Sequence, residues 1–201
     1  MESFQLFAKP WWVNLAVLVP LAAFVFWRRW ALQLSRKRLI AAASYAAAFG
    51  FVEAAVVVYL RAAVGLLPGY GGSLDAVRRL SAGIYQQAEI LAELPKSLLA
   101  VELAREAATM AMFTAVAILG ADRRRERWAL WLWMFAVWDV AYYASLWATV
   151  RWPSSLATPD VLFLIPEPWY AQVWFPILVS ALTMAAVILA RKRFSEVSRL
   201  P

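Results

Sequence analysis

ALWLWMFAVWDVAYYASLW, residues 129–147, settles which solvent the chain is built for: its 19 residues hold one charge, Asp139. At 1.5 Å per residue, a helix of about 20 apolar residues crosses a hydrocarbon core roughly 30 Å thick. Four other segments meet the same condition. The expected spans lie at about 11–27, 39–67, 97–120, 128–149 and 171–190, with Pro20 kinking the first. The fold class read from this is an all-α integral membrane protein of about five transmembrane helices, one membrane domain over residues 1–201.

Composition agrees. The chain is 64% hydrophobic with 12 Trp and a mean hydropathy of +0.62, whereas soluble domains sit nearer half apolar. Many tryptophans suit rings held at headgroup level. The net charge of +7 comes from short basic clusters between apolar runs, a pattern that marks membrane orientation and argues against nucleic acid as a partner. RRWALQLSRKR (28–38), ADRRRERW (121–128) and RKRFSEVSR (191–199) carry 13 of the 20 Lys and Arg on one expected side. That side is read as cytoplasmic, with the N-terminus outside and the C-terminus in the cytoplasm, in a bacterial cytoplasmic (inner) membrane. MESFQLFAKPWW lacks a basic leader region and a cleavage site, so the first span is read as a retained anchor.

Two segments on the opposite side are unusual. Residues 74–94 put Leu74, Val77, Leu80, Ile84, Leu91 and Leu94 on one stripe, predicting an amphipathic helix on the outer face. Residues 151–170 carry Pro153, Pro159, Pro166 and Pro168 around the short run VLFLI. Too short to cross and too broken to be helical, this segment is read as a re-entrant or capping element, or as an interfacial loop anchored by Trp152 and Trp169.

The candidate site consists of charges where hydrocarbon should be. Glu102, Arg105 and Glu106 share one face of the third span with Thr109. Asp139 forms a stripe with Phe135, Tyr142 and Tyr143 on the fourth. Glu53 lies near the middle of the second, with Gly50 one turn before it and Arg61 two turns beyond, and small neighbours there permit close helix approach. Asp160 belongs to the proline-broken segment. An ionised group at mid-span costs about 2.5–3.5 kcal/mol on insertion scales, so such groups face the bundle interior. One expectation is a carboxylate-lined cavity facing outward, relieved by protons or a bound cation. The other is a closed Glu102–Arg105–Glu106 ion-pair knot that fixes helix register, with Asp139 bonded to a tyrosine.

The absence of Cys and His removes disulfides, thiolates, Fe–S clusters, Cys-ligated zinc and the usual haem ligand. An oxygen-ligated divalent cation is the metal the composition leaves room for. No P-loop, GxGxxG, GxSG or paired aspartyl motif occurs, so no catalytic residue is assigned.

EAAVVVYLR (53–61), ELAREAATM (102–110), WDVAYY (138–143), WPSSL (152–156) and DVLFLIPEPW (160–169) resemble a family of uncharacterised bacterial polytopic membrane proteins. That family is marked by WDxxYY followed by WPxSL and DxLFLIPxPW. The resemblance spans roughly residues 50–180. Pro176 agrees with the family pattern, which carries a proline where this chain has Gln172. It implies a membrane location and a shared architecture, and brings no activity.

Three functions follow as expectations: cation- or proton-linked transport, an accessory subunit of a larger respiratory or photosynthetic membrane complex, and an enzyme acting on lipid in the outer leaflet. The partners implied are membrane lipids and either further copies of the chain or a larger membrane complex.

Overall fold

The computed structural model describes residues 4–63, 73, 75–76 and 96–197, with backbone alone at 60–63, 96–98 and 192–197. Five helical stretches among them are long and apolar enough to cross a membrane: Trp11–Trp30, whose α-helical part is α1 (Leu18–Trp30), then α2 (Arg36–Ala63), α3 (Lys96–Gly120), α4 (Arg124–Val150) and α5 (Trp174–Val197). The amphipathic helix expected at 74–94 falls almost wholly outside the described residues. The first span begins as a 3-10 segment, Trp11–Val17, and turns α-helical at Leu18. Pro20 explains the change of winding, because its ring crowds the carbonyl four residues back and it offers no N–H.

α4 is the hub. It packs against α2, α5 and α3, while α1 leans on α5. Gly50 sets the α2–α4 distance: a Cβ there would lie 2.8 Å from the Trp138 carbonyl oxygen and 3.0 Å from the Tyr142 nitrogen. Only a residue without a side chain lets the two backbones approach so closely.

The C-terminus of α1, the N-terminus of α2 and the short turn joining α3 to α4 share one end of the bundle, the basic end. Arginines brace its connections. Arg127 Nε donates to the Ala121 carbonyl at 2.8 Å, and Arg191 Nε to the Leu34 carbonyl at 2.7 Å. Ser35 starts α2, its hydroxyl accepting the Arg38 N–H at 3.2 Å. The adjoining half of the bundle is solid, with Phe113, Leu130, Met134 and Val187 all at 1% exposure or less. Trp128 and Trp147 are both exposed on α4. They stand 19 residues apart, about 28 Å along the helix, which matches a hydrocarbon core with a ring at each boundary.

The opposite end departs from an all-α fold. Pro159–Phe163 (β1) and Trp169–Gln172 (β2) form an antiparallel hairpin, with Asp160 opposite Ala171 and Val161 opposite Tyr170. Residues 171 and 172, expected to open the last span, close this hairpin instead, and α5 starts at Trp174. The cause is local. α4 stops at Arg151, whose backbone is left-handed (φ 59°) and whose N–H still reaches the Trp147 carbonyl, and Pro153 forbids a restart. Pro159 can open a strand because it needs no ladder N–H there. Lys9 then adds to the free edge of β2, exchanging bonds of 2.7 and 2.6 Å with Tyr170. Gln172 accepts the Gln5 N–H through its side chain at 2.9 Å.

Candidate functional site

The hairpin enters the bundle rather than resting on it. The Phe163 ring lies 6.0 Å from Phe135 and 6.3 Å from Trp138. Those residues are 11 and 14 positions from the start of α4, so roughly 16–21 Å from the basic end. Backbone at that depth must find hydrogen-bond partners within the protein. The ladder supplies most of them, and past its end the Leu164 N–H points at the Glu106 carboxylate, 3.0 and 3.1 Å from its two oxygens. A charge inside the bundle thus serves an otherwise orphaned donor.

Around the hairpin lies a cavity of about 170 Å³. α2 contributes Glu53, α3 contributes Glu102, Arg105, Glu106 and Thr109, and α4 contributes Trp138, Asp139, Tyr142 and Tyr143. The hairpin adds Asp160 and Phe163, and α5 adds Pro176 and Ser180. Glu53, Glu106 and Asp139 sit 17, 14 and 15 residues from the basic ends of their helices. That places them in one layer, roughly 21–26 Å from that end.

Arg105 stands between two carboxylates. Its Nε donates to Glu102 at 2.8 Å and its Nη1 to Glu53. Glu53 accepts on its other oxygen from the Thr109 hydroxyl at 2.7 Å. The alternative of a closed Glu102–Arg105–Glu106 knot is therefore not what forms, because Glu106 turns to Leu164 and Glu53 takes its place. Asp139 does not bond a tyrosine either. Its Oδ2 accepts from Ser180 at 2.8 Å, while Tyr143 donates to Asp160 at 2.8 Å. Of the candidate residues, Glu53, Glu102, Arg105, Glu106, Asp139, Tyr142, Tyr143 and Asp160 share the cavity. The side chain of Arg61 lies outside the described residues.

Sequence reasoning missed the Leu164 N–H, Ser180 and the rings of Phe163 and Trp169. Ser180 had a signal, a lone small hydroxyl three residues before Thr183 in an otherwise apolar span. The indole N–H groups of Trp138 and Trp169 are buried with no hydrogen-bond partner among the described residues.

Five carboxylates and one guanidinium line the cavity, so its formal charge is strongly negative unless protons or a cation enter. Among the described residues, no group of three carboxylates is placed to hold a metal ion. Polar groups converging on a mostly apolar hollow are the usual form of a small-ligand site. Comparison with family models, with characterised proteins and with solved structures gives no match.

Proposed function

We propose that the chain is a multi-pass membrane protein whose cavity takes up a small cation or protons, and that this uptake is linked to transport. The observation that carries the reading is the excess of acid around one hollow, five carboxylates against a single guanidinium. Buried charge without compensation is expensive, so an occupant that neutralises it is favoured. The gathering of basic clusters at one end supports an N-terminus outside and a C-terminus in the cytoplasm of a bacterial inner membrane. In that orientation the cavity belongs to the outer half of the bundle and the hairpin is re-entrant. The motif resemblance supports the same membrane family.

Phe113, Leu130, Met134 and Val187 fill the bundle towards the basic end. This conformation therefore suits one-sided binding, and passage across requires helix rearrangement. Reconstitution into proteoliposomes tests the reading. Cation or proton flux is expected from the native chain and is lost when Asp139→Asn and Glu106→Gln are combined. Equal flux from native and doubly substituted protein refutes it. Reporter fusions at residues 33 and 122 test the orientation, since both should report cytoplasm.

A further inference from the structure

We infer that the occupant is a small organic ammonium ion, seated between the Asp139 carboxylate and the aromatic wall of the cavity. This rests on the cation reading above and narrows its chemistry.

The carboxylates are not equivalent. Glu53 and Glu102 share Arg105, Glu106 holds the hairpin tip, and Asp160 takes the Tyr143 hydroxyl. Asp139 is 8% exposed and lines the cavity, and its Oδ2 accepts from Ser180. Among the described residues no hydrogen bond reaches its Oδ1. A carboxylate oxygen that lines the void and receives no hydrogen bond there is free to take one from an occupant.

An inorganic divalent ion is the poorer fit. Mg²⁺ and Ca²⁺ need six or more oxygens closing round them, and no three carboxylates converge among the described residues. The rest of the wall mixes aliphatic side chains with rings, among them Phe135, Trp138, Tyr142, Phe163 and Trp169. Rings in the lining can attract an organic cation without stripping a coordination shell from it. Size points the same way. The hollow of about 170 Å³ is slightly larger than the ~150 Å³ cavities known to hold benzene, which sets an upper limit of roughly six to eight heavy atoms.

The test uses the full chain in nanodiscs of uncharged lipid. Calorimetry and thermal unfolding are read with ethylammonium and propylammonium, against Na⁺, K⁺ and Mg²⁺ at equal ionic strength and across a pH series. The expected result is saturable binding and stabilisation by the organic ions, about tenfold weaker in Asp139→Asn and at least threefold weaker in Phe163→Leu. Asp139→Asn keeps an acceptor for Ser180, and the ligand-free melting of each variant shows whether it has folded. Organic ions that bind both variants as tightly as the native chain overturn the inference. Stabilisation by inorganic cations or protons alone, lost in Asp139→Asn, overturns the ammonium assignment and leaves the cation reading standing. No response to any cation or to pH overturns both.

Discussion

Substituting Gly50 by Ala should destabilise the protein even though alanine is the better helix former. The added Cβ would meet the Trp138 carbonyl oxygen at 2.8 Å, the Tyr142 nitrogen at 3.0 Å and the Ala141 Cβ at 3.1 Å. All three atoms belong to the body of α4, and none can rotate aside. The helices must part by roughly 0.5 Å, and a gap of that size forfeits about a quarter of the attraction across a packed seam. Overpacking of this kind costs about 1–3 kcal/mol, against a propensity gain of about 1 kcal/mol. The expected net loss is up to about 2 kcal/mol, or as much as roughly 8 °C in melting temperature for a chain of this size. Gly120→Ala is the internal control. Its Cβ meets Leu130 Cδ2 at 2.6 Å, a closer contact but with the tip of a side chain that can change rotamer. That variant should stay within about 1 kcal/mol of the native chain. Thermal unfolding of both in the same detergent decides the matter. If Gly50→Ala proves as stable as Gly120→Ala, the α2–α4 seam is not a rigid contact.

Three further outcomes are expected. Glu106→Ala leaves the Leu164 N–H without its acceptor and should cost about 1–3 kcal/mol, with faster amide exchange across 159–172; Glu106→Gln, which keeps an acceptor, should lose less. Unchanged exchange in the alanine variant would show that the carboxylate does not pin the hairpin. Arg105→Met strands Glu53 and Glu102 and should cost about 3–5 kcal/mol, partly recovered by adding Glu53→Gln, as unfolding of the single and double variants would show. Tyr143→Phe removes the donor to Asp160 and should cost about 1.5–3 kcal/mol in the same assay, whereas the exposed Tyr59→Phe should cost almost nothing.

Hydropathy and charge made the five helices legible, because a core-spanning helix announces itself through length and composition alone. The site was half legible. Spacings of three and four on α3 place Glu102, Arg105 and Glu106 on one face, but nothing local says that Arg105 turns to Glu53, 52 residues earlier. The hairpin was legible only as a refusal to be helical. β1 shows no strict alternation of buried and exposed residues, and its partner strand begins only after the proline-rich turn at 164–168. A period-two search has no pattern to find there.

The pairing of Lys9 with Tyr170 joins chain positions that leave the ribosome about 160 residues apart. The entry to the first span must wait, unzipped and hydrated, until nearly everything else has been synthesised. Final closure of this end of the bundle is thus a late event in biogenesis. Anything fused close to the front of the chain would sit on the last stitch to be sewn.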